Sequence, residues 1–380
     1  MSACDFLVCG AGIAGASIAA ELAGAASVVV VEREDAAGYH TTGRSAALYV
    51  ASYGNATIRA LTAASRPFFD APPAGFADHP LLTPRGCLHI GAAAQADQLE
   101  ALAADLAATG VSVSRIGGAA ACAMVAVLRP EIVAGGVYEP GAADIDVAAL
   151  HGGYLRLARQ RGARIALGAG LSALERTAQG WGARLANGET LDARVVVNAA
   201  GAWGDEVARL AGVAPVGLTP CRRTAMILEA PANIDISHWP AVIDVGEGFY
   251  FKPEAGRILA SPADETPSVP TDAAPEELDI AICVDRIQGV ADIPVRRVLR
   301  AWAGLRTFAQ DRTPVIGFAP RAPGFFWFAG QGGYGMQIAP AAARLGAALA
   351  RGEPIPTDVA ALGVAAAALS PARFLAMTQN

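Results

Sequence analysis

Three glycines at positions 10, 12 and 15, within CGAGIAGASI over residues 9–18, have the spacing a backbone needs to press its amides against a pyrophosphate. Gly10 permits a sharp turn, Gly12 lets the chain approach the anion across Ile13 and Ala14, and Gly15 lets the following helix pack on its strand. The run Phe6 to Val8 precedes this turn, and a second strand-like run, Val28 to Val31, ends in Glu32. A carboxylate there is placed to accept both hydroxyls of an adenosine ribose. Strand, Gly-rich turn, helix, second strand and acid follow in that order within 32 residues. The sequence therefore predicts a dinucleotide-binding protein rather than an ordinary Gly-rich turn.

Other chemistries lack their parts. There is no GxSxG elbow, no HExxH and no phosphate loop with its lysine. The six cysteines, at 4, 9, 87, 122, 221 and 283, form no CxxC pair and no ligand-like cluster with the five histidines. This predicts no metal, reduced thiols and a cytoplasmic location. A net charge of −6 argues against a nucleic-acid partner, which requires a basic face. The chain of 380 residues, 53% hydrophobic, has room for two units with a substantial core. Ala11 to Val31 carries Glu21 as its one charge, but its glycines and valine block divide it into loop, helix and buried strand rather than a membrane span.

Around the cradle, helix-like and strand-like runs alternate. Helical spacing covers 95–109, 147–162, 276–290 and 341–351, and the middle helix of residues 147–162 turns Arg156, Arg159 and Arg161 to solvent. Strands are expected at 111–116, 164–167 and 194–198, with a hairpin over 171–185. Residues 222–228, 242–244, 248–251 and 257–260 read as an antiparallel sheet, and 261–275, with four prolines, as a loop. VVVNAAGAW at 195–203 and Phe325 to Ala329 before GQGGYGMQIAP restore strand-to-turn character late in the chain. The expected fold class is α/β (α+β): a Rossmann-like nucleotide-binding domain, discontinuous in sequence over 1–80, 145–215 and 320–380. A mixed or antiparallel β-sheet substrate domain takes 81–144 and 216–319.

GAGIAG with Glu32, HTTGRSAA at 40–47, VVVNAAGAW, AGLRTF at 303–308 and GQGGYGMQ together resemble the FAD-dependent D-amino-acid oxidase superfamily, within it the D-arginine and related D-amino-acid dehydrogenases. The resemblance covers nearly the whole chain. It implies non-covalent FAD, since no cysteine lies in 301–331, where related sarcosine oxidases attach the cofactor. It implies oxidation of a D-amino acid to the imino acid by hydride transfer to flavin N5, then hydrolysis to a 2-oxo acid and ammonia. It also implies a cofactor set of the cradle residues with Arg33, Arg44, Ser45, Ala46, Ala200, Gly201, Trp203, Arg306, Gly332, Gly333, Tyr334, Gly335 and Gln337. The glycines of 330–335 suit a helix N-terminus aimed at charge on the reduced ring, with Gln337 as an added donor.

A substrate carboxylate matches a guanidinium fork. By resemblance Arg223 and Arg306 hold it, with Arg222 competing for the role of Arg223; Tyr250 reaches the carboxylate and Tyr53 reaches in from a mobile covering loop. The chain departs from D-arginine dehydrogenase at Leu48, where that enzyme has histidine, and at Cys87, where it has a carboxylate. Without those polar anchors the expected preference is for neutral or apolar D-amino acids, with His89 able to add polarity or simply to be satisfied by a neighbouring backbone. No separate catalytic acid or base is expected. The alternatives are an N-methyl or cyclic secondary amine, a 2-hydroxy acid, or a flavoprotein without catalysis. The resemblance favours a dehydrogenase passing electrons to a quinone-type carrier rather than oxygen, and the expected state is a monomer without stable membrane insertion.

Overall fold

A computed structural model describes the backbone of residues 2–378 and the side chains of 3–374. Four successive valines can avoid water only where both faces of a strand are covered, and Val28–Val31 is buried throughout in the interior of a sheet. It lies parallel to Ser2–Cys9, which is parallel to Thr190–Asn198, which is parallel in turn to Phe325–Ala329. Arg164–Ala166 extends the sheet beyond the valines, while the hairpin Leu171–Thr177 and Gly180–Leu185 extends the other side. Val315–Phe318, grouped by the sequence with the substrate part, pairs with Phe325–Ala329 in this first sheet.

Helix Ile13–Leu22 packs against Val147–Gln160 and Gly335–Ala350. Gly346 allows close approach: a Cβ there would stand 2.6 Å from the Phe328 ring and 3.1 Å from Ile18. Phe325, Phe326, Trp327 and Phe328 are wholly buried, their alternate side chains filling the cores on the two faces of the sheet. Truncating one of these rings costs about 3–5 kcal/mol.

A second sheet of ten strands runs from Gln331–Gly332 through Val298–Phe308, Thr219–Leu228, Arg257–Ser261, Tyr250–Glu254, Ala241–Asp244, Cys87–Gly91 and Gly135–Glu139 to Ser114–Gly117. It is antiparallel except where Ala241–Asp244 meets Cys87–Gly91, so it is mixed. Thr266–Pro267 joins from the Pro-rich loop, and a three-stranded sheet of Leu48–Tyr49, Ala143–Ile145 and Leu82–Pro84 lies apart. Among the described residues no helix is long and apolar enough to cross a membrane.

Three local expectations change. The strand expected from Val111 starts at Ser114. The last helix begins at Gly335 rather than 341 and passes through Pro340, whose missing N–H frees only one carbonyl near the helix start. Helix Ala56–Asp70 was not anticipated, although Asn55 caps it by accepting from the Ile58 amide and its buried Ile58, Leu61, Ser65 and Phe69 follow helical spacing.

Candidate active site

A cavity of about 510 Å³ runs between the two large sheets, lined from Glu32 and Arg33 at one end to Arg223, Tyr250 and Arg306 at the other. Gly10, Gly12, Ile13 and Ala14 form its floor, where the first turn of helix Ile13–Leu22 presents N–H groups without intrahelical partners. The cradle depends on hydrogen at two positions. Gly10 has φ +100° and a Cβ there would lie 2.7 Å from the Ala199 carbonyl oxygen; one on Gly15 would lie 1.8 Å from that of Gly10. Gly15 thus works from beneath the cradle and does not line it. The Glu32 carboxylate accepts from the amides of Ala11 at 2.7 Å and Glu34 at 3.0 Å, which fixes it at the cavity wall. The Thr42 hydroxyl accepts from Ile13 N at 2.9 Å, and His151 Nε2 lies 2.8 Å from the Ala11 carbonyl. Neither was anticipated, since each acts on the cradle from more than 25 residues away.

At the same end, the Arg33 guanidinium stacks over Trp203, 4.3 Å from the ring centroid. Ala200, Gly201, Ser45 and Ala46 also line the wall. Arg44 lines it as well, but its guanidinium is engaged away from the cradle, by Asp272 and the carbonyls of Ala273 and Ala303. It fastens the Pro-rich loop.

Gly332, Gly333, Gly335 and Met336 bring the start of helix Gly335–Ala350 to the cavity, and the first turn carries no acidic residue, leaving its positive end open to an anion. Two expectations at this turn are corrected. Gln337 is turned away: its amide donates to Thr62 Oγ1 at 2.8 Å, and its oxygen accepts from Val50 N at 3.2 Å. Tyr334 is buried against Tyr53 and Phe308 rather than exposed to the cavity, because its ring fills the apolar space behind the glycines.

Strand register separates the two neighbouring arginines. Arg223 lies opposite Gly304 and Arg306 opposite Cys221, so Arg223 and Arg306 share one sheet face, two residues apart on adjacent strands. Arg222 points the other way, into Glu276 and into Asp279 at 2.9 Å. Arg223 donates to Glu265 at 2.9 Å, and its buried Nε has no partner. Burial, then the charge of Arg306, pull the Arg223 guanidinium below its ordinary pKa. Arg306 donates to the Tyr53 hydroxyl at 3.0 Å and, among the described residues, has no acidic partner within 4 Å. Gly333 makes room for this pair: a Cβ there would stand 2.8 Å from the guanidinium and 3.0 Å from the Tyr53 oxygen.

Tyr53 stands behind Arg306 and is not among the residues that line the cavity. Its loop is tied through Val50 N to Gln337, through Ala51 N and Ser52 N to Glu139, and through Asn55 to Thr313. Glu265, Arg312 and Glu139 went unnoticed in the sequence because their partners come from other strands. Arg312 donates to both oxygens of Glu265 at 2.9 Å, completing an Arg–Glu–Arg bridge. Cys87 is wholly buried in a small apolar cluster with Val50, Ala142, Leu48, Tyr53 and Ile243, and burial pushes its thiol well above the ordinary range. His89 Nε2 lies 3.6 Å from the Cys87 sulfur, and neither residue lines the main cavity. Among the described residues no group of three or more His, Cys, Asp or Glu is placed to hold a metal ion.

The family model for FAD dependent oxidoreductases, DAO, matches residues 5–349. A Xenopus laevis FAD-dependent oxidoreductase domain-containing protein 1 is 28% identical over 176 residues, 41% of this chain and 34% of that protein. The chain thus spans about a third of the length of that curated relative. Among solved structures, glycine oxidase from Geobacillus kaustophilus superposes with a TM-score of 0.83 at 21% identity, covering 93% of this chain and 96% of that one. L-proline dehydrogenase from P. horikoshii gives 0.80 at 20% identity, covering 99% and 98%.

Proposed function

This chain belongs to the FAD-dependent oxidoreductase family, and from that premise we propose that it oxidises a D-amino acid, with a neutral or apolar side chain favoured, to the imino acid that water converts to 2-oxo acid and ammonia. FAD, when bound, accepts the hydride from the substrate α-carbon. The glycine cradle fits its pyrophosphate, with Glu32 and Arg33 at the ribose end and helix Gly335–Ala350 at the ring end. The observation that carries the reading is Arg306: a cavity-facing guanidinium with no acidic partner among the described residues, beside Arg223 with an unpartnered Nε. Two cations on one sheet face call for an anion between them, and a carboxylate presents two oxygens to two forks. The Tyr53 hydroxyl orients Arg306, and Tyr250 closes the wall beside them. Orientation of the α-carbon follows from this clamp.

The preference for uncharged side chains is supported by the cavity lining, whose carboxylates among the described residues are Glu32 and Glu206, neither on the strands that carry Arg223, Tyr250 and Arg306.

The test is anaerobic mixing of the FAD-loaded protein with D- and L-amino acids, sarcosine, proline and lactate, following bleaching of the flavin. Bleaching by neutral D-amino acids and not by D-arginine is the expected result. Bleaching by sarcosine or proline alone moves the assignment to a secondary amine, by lactate alone to a 2-hydroxy acid; none by any of them removes the catalytic reading. Peroxide release on aeration would replace the dehydrogenase assignment with an oxidase. Arg306→Lys keeps the charge but loses the fork, and kcat/KM should fall about 100-fold, equivalent to ~2.7 kcal/mol.

A further inference from the structure

We propose that Glu139 is a positioning residue for substrate binding: by accepting the amides of Ala51 and Ser52 it holds the Tyr53 hydroxyl against Arg306 and so sets the affinity for the substrate carboxylate, an inference that rests on the carboxylate-clamp reading above.

Glu139 ends strand Gly135–Glu139 and is 1% exposed, yet among the described residues no lysine or arginine lies within 4 Å of it. A buried carboxylate without a cation is costly unless hydrogen bonds replace its water. Its two oxygens find theirs in Ala51 N at 2.7 Å and Ser52 N at 3.4 Å. Those amides immediately precede Tyr53, whose hydroxyl accepts from Arg306 at 3.0 Å. The Tyr53 amide folds back on the Val50 carbonyl at 3.2 Å, and Gly54, at φ +90°, turns the chain into the cap of the next helix. Glu139 therefore holds the two amides before Tyr53, whose hydroxyl makes the one side-chain hydrogen bond of the Arg306 guanidinium among the described residues.

Burial pushes the Glu139 carboxyl above the usual range, and the Ser52 and Ala51 contacts oppose it. A glutamine in its place keeps one acceptor but turns an NH₂ toward a backbone N–H, loosening one amide.

The experiment compares FAD-loaded wild type, Glu139→Gln, Tyr53→Phe and the double variant. Butanoate, which carries a carboxylate but no oxidisable amine, is titrated against the flavin absorbance spectrum. The limiting rate of anaerobic bleaching by the best amino acid is measured beside it. Glu139→Gln should weaken butanoate about 5- to 10-fold and change the limiting rate less than about 2-fold, and the double variant should be no weaker than Tyr53→Phe alone. Additive losses in the double variant, or unchanged affinity in Glu139→Gln, overturn the inference. So does loss of FAD in Glu139→Gln alone, which would assign the residue to folding. If butanoate leaves the wild-type spectrum unmoved and no amino acid bleaches it, the carboxylate clamp itself fails and takes this inference with it; binding equally well to wild type and Glu139→Gln but less well to Tyr53→Phe removes only the role of Glu139.

Discussion

Arg223 and Arg306 stand beside each other with one internal anion, Glu265, drawn toward Arg223 and shared with Arg312. Glu265 lowers the positive potential that an incoming carboxylate meets. Glu265→Gln should therefore tighten carboxylate binding about 3- to 10-fold at low salt, roughly 0.7–1.4 kcal/mol, with the gain shrinking as salt is raised. The same change strips a buried guanidinium of its counter-charge, so the melting temperature should fall by a few degrees, measured by differential scanning calorimetry. His89 gives a second residue-scale outcome. Burial lowers its pKa to about 4, against 6.5 in the unfolded chain, so between those values the unfolded state binds more protons. Its contribution is constant above pH 6.5 and is lost as pH falls toward 4. At pH 4.5 the loss is roughly 2–3 kcal/mol. Urea midpoints at pH 7 and 4.5 should converge in His89→Gln relative to wild type; an unchanged pH gap contradicts a neutral imidazole in the folded state.

At the scale of elements, the cradle is the part most legible in the sequence, because its constraint is local: Gly10, Gly12 and Gly15 must lack side chains whatever surrounds them. Gly15→Ala should abolish FAD binding, since its Cβ would fall 1.8 Å from the Gly10 carbonyl oxygen, which as backbone cannot swing aside. Gly117→Ala, at a strand end with φ −78° and nothing within 4 Å, is the control that should retain flavin absorbance at 450 nm undiminished. Alternation along Tyr250–Glu254 sets Tyr250 and Phe251 on opposite faces, so Tyr250 lines the cavity while Phe251 joins the core behind it. What the sequence hid is what depends on register. Arg222 and Arg223 are adjacent and equally basic, and only the pairing of Thr219–Leu228 with Val298–Phe308 decides which one joins Arg306. Glu139 is 86 residues from Tyr53 in sequence and Glu265 is 42 from Arg223, so neither contact leaves a periodic trace. Gln337 misled for a related reason: the helix starts at Gly335 rather than 341, which sets the amide against Thr62.

Across the whole molecule the chain passes back and forth between the two large sheets, giving Ser2–Cys9 to the first, Cys87–Gly91 to the second, Thr190–Asn198 to the first, Thr219–Leu228 to the second and Phe325–Ala329 to the first. We place the division between nucleotide and substrate parts along these crossings, and neither part is a continuous stretch that a cut could release. Arg44 binds the loop of Asp272 and Ala273 and the carbonyl of Ala303, while the Trp302 indole donates to the Arg44 carbonyl at 3.0 Å, so the parts share polar contacts as well as the cavity. An element shared in this way has no stable partner if the other part melts. Heating the FAD-loaded protein should accordingly give one transition, with flavin fluorescence rising and far-UV circular dichroism falling at the same temperature. Because the cradle and helix Gly335–Ala350 come from opposite ends of the chain, only the folded state assembles the cavity, and free FAD at 100 times its Kd should stabilise the fold by about 2.7 kcal/mol. Two separated transitions, with flavin released in the first while half the ellipticity remains, would mean that the nucleotide sheet does not need the substrate sheet to stand.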